Sequence, residues 1–116
     1  TINSFLIKDN TKKVLIVGDS HSAMMFNVFN LNKKLFKNYR FGQIKLNPIN
    51  NYNTLFNDQR YIYSDVIVFS YRFSNEKLNY IKNLIPKIDK KKIIIMGKSN
   101  EYKNFFKRKL DYCLFW

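Results

Sequence analysis

The chain has 116 residues, 46% of them hydrophobic, and carries 21 Lys and Arg against 8 Asp and Glu, a formal net charge of +13. That length suits a single domain, residues 1–116, and excludes an assembly of several. No apolar run reaches the ~18 residues of a membrane span, the N-terminus lacks the basic-then-apolar layout of a signal peptide, and the single cysteine, Cys113, excludes an internal disulfide. A chain that starts at Thr1 and stops at Trp116, directly after an apolar stretch, is expected to be a piece of a longer protein.

Lys12 to Val17 reads as the first strand, its unbroken apolar core suiting a parallel strand covered on both faces. Gly18 stops it, and a helix follows from Ser20 or His21 to about Phe36. There Met24, Val28, Leu31 and Leu35 recur at i, i+4, i+7 and i+11, with Met25, Phe29 and Phe36 widening the stripe. That face is expected to meet the core. Tyr39 to Leu46 is a second strand, ending at Asn47-Pro48. Asn50 to Tyr63 is polar and asparagine-rich, with a turn or two of helix around Leu55.

Asp65 to Tyr71 is the third strand. Ser74 is placed to cap the helix NEKLNYIKNLI, whose Leu78, Ile81 and Ile85 share a face before Pro86 and Asp89 close it. Lys91 to Met96 is a fourth strand broken by Gly97, and Glu101 to Leu110 a last helix. Strands alternating with helices at this spacing make βαβ units. The expected fold is α/β, three-layered, with a flavodoxin-like parallel sheet, incomplete at the C-terminus.

A charge of +13 can mark a nucleic-acid or anionic-surface partner. The chain is also rich in Asn, Ile, Tyr and Phe, which share AT-rich codons with Lys, so a compositional bias accounts for the lysines. A specific nucleic-acid partner is therefore not expected. The runs Lys12-Lys13, Lys33-Lys34, Lys90-Lys91-Lys92 and Lys107-Arg108-Lys109 fall where elements begin or end, not along one helix face.

Ligands of open parallel sheets bind beyond the carboxyl ends of the strands. GDSH (18–21), YRFS (71–74) and GKSNEY (97–102) each follow a strand, so Ser20, Arg72 and Lys98 are expected near one edge. Gly18 allows a sharp turn where a Cβ would clash or φ must be positive. Ser20 opens the helix, where unpaired N–H groups and the dipole favour a developing negative charge. A hydroxyl there can be a nucleophile; equally, Asp19 or Ser20 can simply cap the helix. Tyr71, Phe73 and Tyr102 are placed to stack on a sugar or base. The glycines of a dinucleotide or Walker loop are missing, and neither a cofactor nor a metal is expected.

VLIVGDSHSAMM (14–25) resembles the first motif of the SGNH (GDSL-type) hydrolases. With His21 directly after Ser20, it is most similar to the SGNH domains fused to membrane acyltransferases that O-acetylate bacterial surface polysaccharides. DVIVFSYRFS (65–74) resembles that group's third strand, which runs into an aromatic-flanked Arg, and KKIIIMGKSNEY (91–102) is similar to the strand and exit loop that follow. The resemblance covers about residues 12 to 102. It implies Ser20 as nucleophile, Gly18 and Asp19 as its turn, His21 as the motif's own histidine and not the base, and Arg72 beside the oxyanion or acyl carbonyl. It also implies a carbohydrate or acylated small-molecule substrate, a membrane acyltransferase domain in the same parent chain as partner, and a periplasmic or cell-surface location.

The family's base comes from a late Asp-x-x-His segment. This chain departs from it: Asp111 has no histidine three residues on, and His21 is the single histidine. The expected function is a carbohydrate O-acetyl esterase or acyltransferase domain working through an acyl-serine, inactive as this piece. The alternative is a non-catalytic basic α/β module that uses the strand-end edge for an anionic glycan or nucleic acid.

Overall fold

In the computed structural model, which describes residues 5–46, 53–88, 90–97 and 112–115, five strands form one sheet. They are β1 (Lys12–Gly18), β2 (Tyr39–Lys45), β3 (Val66–Ser70), β4 (Lys92–Gly97) and β5 (Tyr112–Phe115). The order is β2-β1-β3-β4-β5 and every pairing is parallel. This is the doubly wound order of flavodoxin-like folds, as expected, with the chain reversing its direction of travel at β1 and β3. β1 is hydrogen-bonded on both sides, Val14 standing opposite Phe41 and Val66. A strand so placed needs apolar residues on both faces, which explains why Leu15, Ile16 and Val17 run without a polar break and are fully buried.

Helices cover both faces. On one lie the short α2 (Asn53–Phe56) and α3 (Gln59–Tyr63) and the longer α4 (Asn75–Leu84). Ser74 caps α4 as expected, its hydroxyl accepting the Lys77 N–H at 3.3 Å. Leu78, Ile81 and Leu84 of α4 pack on Leu15, Val17, Ile67, Phe69, Ile93 and Ile95. On the other face α1 (Ser20–Leu31) meets Val14, Ile16 and Val68 through Met25, Phe26 and Phe29.

α1 ends five residues earlier than expected. Asn32 donates its side-chain amide to the Val28 carbonyl at 2.7 Å and its N–H to the Phe29 carbonyl at 3.1 Å, and the chain tightens into a 3₁₀ turn over Lys33–Phe36. The larger correction concerns its orientation. Met24, Val28, Leu31 and Leu35, expected in the core, are 65, 57, 84 and 78% exposed. The helix is apolar on two sides, so periodicity alone offers two stripes. The aromatic one wins: Phe29 stacks on Phe41 of β2 at 4.4 Å, with the Phe36 ring edge-on to both. β5 was not anticipated, its residues having read only as an apolar stretch. The expected helix at Glu101–Leu110, with Lys98 and Tyr102, lies outside the described residues.

Candidate functional site

At the carboxyl edge of the sheet, Gly18 leaves β1 where β3 ends. A Cβ on Gly18 would stand 1.8 Å from the Ser70 carbonyl oxygen, so the glycine is required by close approach and not by a positive φ. Asp19 then caps α1, Oδ1 accepting the His21 N–H at 2.9 Å. Its Oδ2 accepts the Arg72 N–H and the Lys77 ammonium, each at 3.0 Å, and Lys77 also donates to the Arg72 carbonyl at 3.2 Å. Partial burial pushes the Asp19 carboxyl up, but the N–H groups of Arg72 and His21 and the Lys77 ammonium outweigh it, holding the pKa below its ordinary value.

Gly18, Asp19, Ser20, His21 and Arg72 are thus brought together, and the first two are accounted for by architecture. Asp19 joins the exits of β1 and β3 to the first turn of α4. Ser20 is exposed at the first position of α1, and its hydroxyl makes no hydrogen bond to a described residue. Arg72 contributes its backbone to Asp19 while its side chain is exposed. Lys77 and the fully buried Ser22 and Ser70 were missed. Ser22 Oγ donates to the Asp19 carbonyl at 2.6 Å and accepts from Gln43 at 3.0 Å. Such neighbours become visible only once the strand order sets the exits of β1 and β3 side by side.

Tyr71 is corrected from a stacking surface to a core residue. It is 1% exposed, its hydroxyl donates to the Leu46 carbonyl at 2.7 Å, and burial pushes the phenol pKa above its usual value. Phe73 is partly buried against the same core, 5.7 Å from the Tyr71 ring. The carboxyl edge therefore offers no aromatic platform among the described residues.

The amino edge differs. In an all-parallel sheet every strand starts on one edge, and a helix returning from the carboxyl edge ends there. Lysine runs that look scattered along the chain consequently converge. Lys12 opens β1, Lys33 and Lys34 follow α1, Lys37 precedes β2, and Lys90 and Lys92 open β4. Lys8 joins them from the segment leading into β1. All seven are exposed, and none forms an ion pair with a described residue.

Among the described residues, the carboxylates of that edge, Asp9 and Asp65, are engaged. Asp9 takes the Arg40 guanidinium at 2.8 and 2.9 Å and the Lys13 ammonium at 3.5 Å, while Asp65 accepts the Lys13 N–H at 2.8 Å. The Thr11 hydroxyl and the Arg40 guanidinium hold Asp9 far below the usual carboxylate range. Lys91, by contrast, is structural: it donates to the carbonyls of Ser64 and Ile62 at 2.7 and 3.2 Å, and burial lowers its pKa. Beside β2, a cleft of about 270 Å³ is lined by Phe36 and Tyr39 together with Lys33, Lys37 and Arg40.

No family model matches the chain, and no curated protein matches it. Among solved structures it is similar to RcsB from Salmonella enterica serovar Typhimurium, bound to promoter rprA in the presence of the phosphomimetic BeF3-. The TM-score is 0.59 at 11% identity, over 91% of this chain and 60% of that one; the chain spans about three-fifths of the RcsB chain's length. At that identity the likeness shows the fold. The expected membership of the SGNH hydrolases is overturned, since no family model or curated protein matches and the similar structure described is RcsB. The acyl-serine esterase or acyltransferase reading falls with it. So do the carbohydrate or acyl substrate and the membrane acyltransferase partner, which that resemblance alone implied. The expectation against nucleic acid is overturned too, because the similar structure is that of a protein bound to a promoter. The motif misled for a physical reason: a parallel strand exiting beside its neighbour needs a glycine, and the helix after it needs a cap, whatever the chemistry.

Proposed function

We propose that the chain is a non-catalytic basic α/β module that binds the phosphate backbone of a nucleic acid along the amino edge of its sheet. The observation that carries this is the convergence of Lys8, Lys12, Lys33, Lys34, Lys37, Lys90 and Lys92 on one edge where, among the described residues, the carboxylates Asp9 and Asp65 are already engaged. Compositional bias accounts for the number of lysines but not for their gathering on one edge of the sheet. Each phosphate neutralised there releases condensed counterions. The cleft beside Lys33 and Lys37 adds aromatic surface, with Tyr39 about half exposed, on which a base can stack. RcsB, similar in fold, is bound to a promoter, which agrees with this class of ligand.

Fluorescence anisotropy with labelled oligonucleotides tests the proposal. Binding should be sequence-blind, with log K falling against log salt by about 0.9 per phosphate contacted on duplex. Charge reversal at Lys33→Glu, Lys34→Glu and Lys92→Glu should weaken binding by about 100-fold, since it removes most of the local term. The same change in net charge elsewhere, Lys45→Glu, Arg72→Glu and Lys82→Glu, should cost only a few-fold. Equal losses from the two triple variants, or no binding at low salt, would overturn the proposal.

A further inference from the structure

We infer that the nucleic acid is single-stranded and that one of its unpaired bases enters the cleft beside β2, an inference that rests on the function proposed above. The cleft holds about 270 Å³, below the ~300–1,000 Å³ of sites for drug-sized ligands. That suits one planar base better than a larger folded molecule. Three features of its lining converge on this occupant. The first is aromatic. Phe29, Phe36 and Phe41 pack on one another, and Tyr39 lies nearly parallel to Phe41 at 6.2 Å while remaining 47% exposed. A ring so backed is a stacking platform, and stacking is indifferent to which base arrives.

The second feature is the backbone of β2, which stands at an edge of the sheet. The Lys12 N–H donates to the Asn38 carbonyl and the Leu46 N–H to the Gly18 carbonyl, so the even-numbered residues bond to β1 and the odd-numbered ones face outward. Gln43, one of the latter, gives its carbonyl to the Arg60 guanidinium at 2.9 Å. Tyr39 and Phe41 have no such backbone partner among the described residues. Each presents an N–H and a C=O on the same side, a donor and acceptor pair that the edge of an unpaired base matches.

The third is charge. Lys33 and Lys37 line the cleft and are exposed, and no Asp or Glu lines it among the described residues. Arg40, which also lines it, is held by Asp9. Charge separates a nucleotide strand from a peptide adding to the same edge: backbone pairing would serve either, but two lysines beside the rings call for phosphates. A duplex is kept out of the cleft by its own structure, because its base faces cover one another and its base edges are paired. It meets the amino edge of the sheet through phosphates alone.

Fluorescence anisotropy on the full chain compares labelled oligothymidylate and oligouridylate of about ten nucleotides with a duplex of equal length. The tighter of the two single strands, which identifies the preferred sugar, should bind about tenfold more tightly than the duplex at about 0.15 M salt. An abasic strand with the same phosphates should bind at least about tenfold more weakly than oligothymidylate, the usual worth of a stacked base. Tyr39→Ala should weaken binding of the single strand about tenfold, and removal of the bases should then cost only about twofold more. Tyr39→Phe keeps the ring and should match the parent within about twofold. The abasic comparison uses the unaltered chain, so it decides the matter even if Tyr39→Ala does not fold. Equal binding of duplex and single strand, or of abasic strand and oligothymidylate, would overturn the inference and leave the phosphate-binding edge standing. Absence of binding to every nucleic acid would overturn both. Polyglutamate displacing the strand as effectively as unlabelled oligothymidylate would show an acidic peptide to be the occupant and overturn the inference as well.

Discussion

Among the described residues, seventeen side chains are buried in one continuous cluster on the face covered by α2, α3 and α4, and three on the face covered by α1. The strands do not cause this difference, because each supplies apolar residues alternately to both sides: Ile67 and Phe69 to one, Val66 and Val68 to the other. What differs is the cover. α4 brings Leu78, Ile81 and Leu84 down onto the sheet, and Phe5, Leu55 and Tyr61 fill the margins. α1 covers β1, β2 and Val68 of β3, and among the described residues Val66, Ile94 and Met96 on that side are only partly buried. A strand residue's contribution is thus set by what lies above it, not by its own hydrophobicity.

The sharpest way to break this comparison is a pair of substitutions on one strand. Phe69→Ala should cost about 3–5 kcal/mol, the usual range for an aromatic lost from a closed core. Val68→Ala, its buried neighbour on the α1 side, should cost about 1–2 kcal/mol, since it removes fewer atoms from a smaller cluster. Urea unfolding of the two variants measures both, and equal losses would mean that the faces are equally packed.

A middle-sized effect is expected where the faces are joined. Asp19 caps α1 on one side and holds Lys77 of α4 on the other. Asp19→Ala should cost about 1–2 kcal/mol, a lost cap together with a partly exposed ion pair discounted for screening. Because the folded-state pKa of Asp19 is depressed, its contribution is fully present above the unfolded value of about 3.9 and is lost as pH falls through the folded value. Stability followed from pH 5 downward should fall less steeply in Asp19→Asn than in the parent. The smallest effect is expected at an exposed position. Leu35→Gln should change the stability of the chain by less than about 0.5 kcal/mol, as exposed substitutions do. A larger loss by thermal unfolding would show Leu35 to be covered.

Much of the frame was legible in the residues themselves. β1 and β3 announce themselves as unbroken apolar runs, α4 by Ser74 and the spacing of Leu78 and Ile81, and their alternation implies the parallel sheet. The corner at Gly18–Asp19 was legible as a choice between a cap and a reactive turn. The cap is what the hydrogen bond from the His21 N–H to Asp19 establishes, and the Ser70 carbonyl supplies a reason for Gly18 that no local pattern contains. The side on which α1 is buried was not legible, because both of its apolar stripes have helical spacing and only the partner ring of Phe41 distinguishes them. Nor was the basic edge, since Lys12, Lys33 and Lys92 are far apart along the chain and meet through strand order alone. Tyr71 was misread because the position after a strand suggests exposure, while its hydroxyl finds the Leu46 carbonyl twenty-five residues away.

The strand order also bears on how the chain is made. β1 is synthesised first yet sits in the middle of β2-β1-β3, so both of its hydrogen-bonding edges stay open until residues 39–45 and then 66–70 have emerged. During that interval Val14 to Val17 is an apolar segment with two unpaired edges, the kind that seeds association between nascent chains. Lys12 and Lys13 directly before it act as charged gatekeepers against such pairing. Their retention in the finished sheet, with the Lys13 side chain buried against Asp9, leaves that early safeguard built into the mature structure.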